Sequence, residues 1–214
     1  MVPPVRAPAS LTDAAQAAYG DSRVEAILQW STPRWQRRGD EVTAARDFTA
    51  LWDAGARVGA KLVARGETVA VAESSAGGLV SAALLAVPGA SAYFRGGAAV
   101  YTLDAKVRLL DSDPVHMTEP RASTEAHALR LAAAVRDRLG TTWGIGETGA
   151  TGPTGNRYGD PPGHSCVAAT GPSGHQAVST VSTGHSDRLA NMAAFAIAAL
   201  ETLEEALDGA PQSG

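Results

Sequence analysis

Four residues whose chemistry suits acyl transfer stand close behind apolar runs of this sequence: Ser74, Lys106, Tyr101 and Thr148. The run Val69-Ala70-Val71-Ala72 passes directly into Glu73-Ser74-Ser75-Ala76-Gly77-Gly78. A strand that ends in hydroxyls and then in glycines opening a helix sets Ser74 and Ser75 beside free backbone N–H groups. Such groups can hold an anion or a developing oxyanion. The same position also suits a serine that merely caps the helix. The string is not a nucleophile elbow, because G-x-S-x-G requires glycine where Ala72 stands.

A serine nucleophile needs a base. None of the five histidines, His116, His127, His164, His175 and His185, lies in an informative motif, and the sequence reads them as surface or loop residues. Lysine is the other option. The chain carries 16 arginines and only two lysines, Lys61 and Lys106. Lys106 follows a second apolar run within Tyr101-Thr102-Leu103-Asp104-Ala105-Lys106. Partial burial lowers a lysine pKa and makes a base of it, whereas arginine stays protonated. A solvated helix residue is the competing reading of Lys106. A third cluster, Thr148 to Gly155 (TGATGPTG), follows a third run. It does not open a helix and has no Walker lysine, so it is either a turn or a backbone cradle for a small ligand. There is no HExxH, no paired cysteine and no histidine pair at ligand spacing, so no metal is expected.

These clusters need a scaffold that brings strand ends together. Strands are expected over 68–72, 96–102 and 141–147, and helices over 76–86, 103–110 and 123–139. HSCVAAT (164–170) and HQAVSTVS (175–182) form a hairpin around Gly171-Pro172-Ser173-Gly174, and a final helix covers 186–207. Phe48, Leu51, Trp52, Val58 and Leu62 fall at helical spacing before a C-capping Gly66. The alternation predicts an α/β fold, a three-layer α/β/α sandwich with a mixed, mostly parallel central sheet. In such sheets ligands bind beyond the carboxyl ends of the strands, where all three clusters fall. Residues 1–39, opened by Pro3, Pro4 and Pro8, read as an N-terminal extension; 40–208 read as the domain and 209–214 as a disordered tail.

Composition narrows the class. The chain has 214 residues, a net charge of −4 and one cysteine, Cys166. That balance gives no electrostatic footprint for nucleic acid or anionic lipid, and no apolar run reaches the ~20 residues of a membrane span. A lone cysteine and no secretory signal point to a reducing cytoplasm.

Taken together the motifs resemble the CinA C-terminal domain family. ESSAGG resembles its ESCTGG, PGASAYFRGGAAVYTLDAK its PGSS-x-x-F-x-G-G-x-x-x-Y-(S/T)-x-x-x-K, GETGATGPTG its TGIAGPxGG loop, and GHSDRLANM its GDR-containing segment. The order agrees over about residues 45–207. The chain departs from the pattern at Ser75-Ala76, Ala150-Thr151 and Asn191-Met192, the last replacing a second arginine.

The resemblance implies a stand-alone amidohydrolase that converts nicotinamide mononucleotide to nicotinate mononucleotide and ammonia, a step of pyridine nucleotide salvage, without metal or cofactor. It implies Ser74 as nucleophile, Lys106 as base, Tyr101 as its hydroxyl neighbour and Thr148 as the polar residue opening the glycine loop. Glu73, Ser75, Ala76, Gly77, Gly149 and Gly152 are expected around the substrate, with Arg188 as the remaining cation for its phosphate. A homodimer is implied as well. The competing reading is a catalytically silent member that binds a nucleotide or a partner protein.

Overall fold

The computed structural model describes residues 44–211. The extension expected over 1–39 and the end of the expected tail lie outside the described residues.

Strand β1 (Val69–Glu73) explains the layering by itself. Its residues are all buried, and its side chains alternate faces. Val69 and Val71 join a cluster with Leu51, Val58 and Leu62 of helix α1 (Ala44–Arg65), Val80 and Leu84 of α2 (Leu79–Leu85), and Phe195, Leu200 and Leu203 of the last helix, α5 (Arg188–Gly209). Ala70 and Ala72 face the other way, against Leu110 of α3 (Leu103–Leu110) and Leu131 and Val135 of α4 (Glu125–Leu139). Helices thus cover both faces of one five-stranded sheet, as the alternating pattern predicts. Its order is β2 (Phe94–Ala99), β1, β3 (Trp143–Ala150), β4 (His164–Thr170), β5 (Gln176–Ser182). β1 pairs in parallel with both β2 and β3, while β3–β4 and β4–β5 are antiparallel, so the mixed sheet divides evenly between the two kinds of pairing.

Several boundaries differ from expectation for local reasons. α2 starts at Leu79 rather than near 76, because Gly78 sits at φ 101° and the Glu73 carboxylate accepts from the N–H groups of Gly78, Val80 and Ser81. β2 ends at Ala99 because the chain turns away at once: the Thr102 hydroxyl caps α3 by accepting from Ala105 N–H. β3 continues through Ala150, so Thr148 and Gly149 belong to the strand, opposite Cys166 and Ser165. Trp52, one of the residues at helical spacing in this helix, lies on the flank of α1 at 39% exposure and stacks on Phe48. The last helix runs on to Gly209, inside the segment read as tail. Arg65 ties this end down by donating to the carbonyls of Leu207, Ala210 and Pro211.

The approach of α4 to β3 depends on missing side chains. A Cβ at Gly144 falls 2.0 Å from the Ala132 carbonyl oxygen, and one at Gly146 falls 2.0 Å from that of Ala128. Backbone therefore lies directly on backbone across this contact.

Candidate active site

The carboxyl ends of β1 and β3, together with the segment after β2, converge on one edge of the sheet. There Ser74, Tyr101, Lys106, Thr148 and Gly149 line a cavity of about 330 Å³. The elements that bring them together are simple: the turn after β1 carries Ser74, α3 carries Lys106 at its fourth residue, and the end of β3 carries Thr148. The four residues expected to do chemistry therefore share one space.

Lys106 is 6% exposed. Burial pushes its pKa below the ordinary lysine value; the Glu147 charge pulls it back up and the Arg157 charge lowers it further. Its ammonium nitrogen lies 3.0 Å from Nε2 of His127. His127, read from sequence as a surface or loop residue, is fully buried, because its place in the first turn of α4 points it beneath the site. Its Nδ1 lies 3.0 Å from the Pro120 carbonyl oxygen. Burial, and then the neighbouring Lys106 charge, push the His127 pKa down to about 4. The ring is therefore neutral near pH 7.

Ser74 is held through its backbone. Its N–H donates to Glu147 Oε2 at 2.9 Å, the Ala76 N–H donates to the same oxygen at 2.8 Å, and the hydroxyls of Ser75 and Ser165 both donate to Oε1. Glu147 is fully buried. Burial pushes its pKa up, and these four hydrogen bonds act against that shift by favouring the carboxylate. The sequence shows Glu147 only as a polar residue before the glycines; its part in fixing the serine turn comes from the β1–β3 register, whose last pair is Ala72 with Gly146.

Thr148 accepts from the Ser123 N–H at 3.1 Å, which leaves its own proton for another acceptor. Ser123 holds φ 59°, a left-handed conformation rare for serine, and accepts from the Asn156 amide. Asn156, Arg157 and Tyr158 line the same cavity from the loop after β3, and none of them was marked by motif. The guanidinium groups of Arg121 and Arg157 lie 5.1 and 4.9 Å from the centre of the Tyr158 ring. Tyr101 is 64% exposed at the rim.

A second cavity of about 240 Å³ shares Tyr101, Gly149 and Asn156 with the first and is lined by Ser75, Gly152 and Arg188. Gly152 has φ 108°, and a Cβ there falls 2.6 Å from the Ser186 carbonyl oxygen, so this turn needs glycine on both counts. Arg188 donates to the Gly152 carbonyl at 2.7 Å and extends to the cavity from the first turn of α5. Asn191 is buried and clamps the loop by donating to the carbonyls of Thr151 and His185.

Three expected substrate contacts are not at the cavities. Glu73 is fully buried, with its carboxylate spent on the N-terminus of α2 and on the Ser81 hydroxyl. Ala76 is packed in the core, and Gly77 is turned toward Met192. Among the described residues no group of His, Cys, Asp and Glu could hold a metal ion, and no helix is long and apolar enough to cross a membrane.

The model of the CinA C-terminal domain matches residues 53–207. The chain belongs to the CinA C-terminal domain family. A CinA-like protein of Anaeromyxobacter sp. (strain K) is 41% identical over 136 residues, which is 64% of this chain and 33% of that protein. One from Desulfosudis oleivorans is 36% identical over 187 residues, 87% of this chain and 45% of its own. The chain thus spans less than half the length of these relatives. Among solved structures, the competence/damage inducible protein CihA from Agrobacterium tumefaciens superposes with a TM-score of 0.68 at 28% identity. The match covers 74% of this chain and 96% of that one. The competence damage-inducible protein A (ComA) from Klebsiella pneumoniae gives 0.70 at 25%, over 75% and 99%. This CinA domain therefore keeps the family fold.

Proposed function

We propose that this CinA domain is an amidohydrolase that releases ammonia from nicotinamide mononucleotide, with Ser74 as nucleophile and Lys106 as base. One observation carries the reading: a serine at a strand end and a lysine whose burial favours the neutral amine line the same cavity. As Ser74 Oγ attacks the amide carbon, its proton passes to the Lys106 lone pair and the carbonyl becomes an oxyanion. Collapse breaks the C–N bond, and Lys106 returns the proton to the leaving nitrogen, which departs as ammonia. Water then attacks the ester, gives a proton to Lys106, and the ester C–O bond breaks as Ser74 recovers it. The products are nicotinate mononucleotide and the free enzyme.

Arg188 and the backbone around Gly149 and Gly152 suit the phosphate, which supplies the binding energy that free nicotinamide lacks. The chemistry needs neither metal nor cofactor, and the reading includes a cytoplasmic homodimer. The test is ammonia release by purified protein. Release from the mononucleotide, little from free nicotinamide, and loss of both in Ser74→Ala are expected. Tight mononucleotide binding without turnover in the parent overturns the reading in favour of a silent nucleotide-binding member.

A further inference from the structure

We infer that His127 is a positioning residue for Lys106: a buried, neutral imidazole that takes one amine hydrogen and so aims the remaining lone pair at the cavity. The inference deepens the serine–lysine reading above and rests on it.

The tautomer follows from the contacts. A carbonyl oxygen only accepts, so Nδ1 of His127, 3.0 Å from the Pro120 carbonyl, carries the proton. In the neutral ring Nε2 is then a bare acceptor, and at 3.0 Å from Nζ it receives an N–H of Lys106. A neutral primary amine has two hydrogens and one lone pair. Once one hydrogen is fixed on His127, the lone pair is confined to the two positions on the nitrogen that face away from the ring. A carboxylate at the same place would fix the amine equally well but hold it charged, which disarms the base. The imidazole orients without protonating. His127 itself is placed by α4, where its N–H donates to the Thr124 hydroxyl capping the helix.

The charges around Lys106 leave room for this division of labour. Glu147 on β3 favours the ammonium, and Arg157 on the loop after β3 opposes it. Arg130 on α4 acts against a charge on His127. On Lys106's own helix Asp104 and Arg108 pair with each other. From the segment between α3 and α4, the Pro120 carbonyl meets the ring.

Two lysines in the chain make a direct test possible, because lysine labelled at the terminal carbon gives two resonances. Lys61 is paired with Asp208 and Glu204, which hold it above the ordinary value, so Lys106 is the signal that titrates low. His127→Glu should raise the Lys106 titration by about 1–3 pH units and move the rate profile alkaline with it. His127→Leu should lower kcat about tenfold or more with KM little changed, since His127 does not line the cavity. His127→Gln, whose amide oxygen can accept the same hydrogen, should recover most of that loss. Unmoved Lys106 titration in His127→Glu, together with parental kcat in His127→Leu, overturns the inference and leaves a packing residue. If the parent releases no ammonia the functional reading fails instead, while the resonance shift still reports on the His127–Lys106 contact. Should His127→Leu fail to fold, His127→Glu and His127→Gln decide the matter.

Discussion

The Ser75 hydroxyl donates to the Glu147 carboxylate, a residue 72 positions further along the chain. The bond ties the serine turn to the neighbouring strand, and it uses the hydroxyl found where the family pattern has cysteine. Glu147→Gln puts an amide nitrogen among donors that need an acceptor. It should cost about 3 kcal/mol or more, the usual scale for breaking a buried charged network, and should slow ammonia release by loosening Ser74. Ser75→Ala should cost about 1–2 kcal/mol, and Ser75→Cys less than that. Denaturant melts with parallel rate assays read all three.

Lys106 gives the clearest separation of base from bystander. Lys106→Arg keeps the charge but has no accessible neutral form, so activity should fall at least ~10²-fold. Lys106→Met should be as inactive, yet no less stable at pH 7. The sign follows from a lowered folded-state pKa: the folded protein binds fewer protons than the unfolded chain. Parent stability therefore rises as pH climbs from the lowered value toward 10.5. Lys106→Met lacks that rise, and comparing melts of parent and variant across this window checks it.

His127 produces the same kind of slope in acid. Its pKa falls from 6.5 to about 4 on folding, so the folded state takes up its proton last. Parent stability should drop as pH falls from 6.5 to about 4, by up to about 3 kcal/mol from this residue. His127→Gln, with no titrating ring, should show a flatter melting curve over that range. A parent and variant that lose stability in parallel would contradict the assignment.

Much of this site was legible because of one rule about parallel strands. Ser74 follows β1, Thr148 lies near the carboxyl end of β3, and Tyr101 and Lys106 follow β2, so knowing the strands was enough to gather them at one edge. What failed was side-chain direction. Glu73 reads as a polar residue at the mouth, but whether a strand-end carboxylate faces out or folds back onto a helix depends on where that helix begins. His127 sits in a helix whose rotation about its own axis is set by packing on the sheet, and a single histidine carries no periodic signal for that. Glu147 was visible yet unassigned, because its four donors come from two stretches of chain, 74–76 and Ser165, that only the folded sheet brings together. Asn156, Arg157 and Tyr158 reach the cavity through loop geometry, for which composition offers no guide.

Arg188 should separate binding from chemistry. Arg188→Gln keeps a donor for the Gly152 carbonyl but removes the charge. KM for the mononucleotide should rise about tenfold or more, as loss of a charge-assisted contact implies, with little effect on the slow reaction of free nicotinamide. Initial rates over a range of both substrates check this; an equal change for both would assign Arg188 to the loop alone.

The bare contact between α4 and β3 sets a dimension that no residue in the cavity controls. With Gly146 opposite the Ala128 carbonyl, the helix rests on the sheet at its smallest possible spacing, and His127 is the residue just before Ala128. A single methyl group at 146 would act as a shim, lifting the helix and His127 with it away from Lys106 without replacing any polar residue. The sharpness of the base is in this sense a matter of thickness, fixed by two hydrogen atoms standing where side chains usually begin.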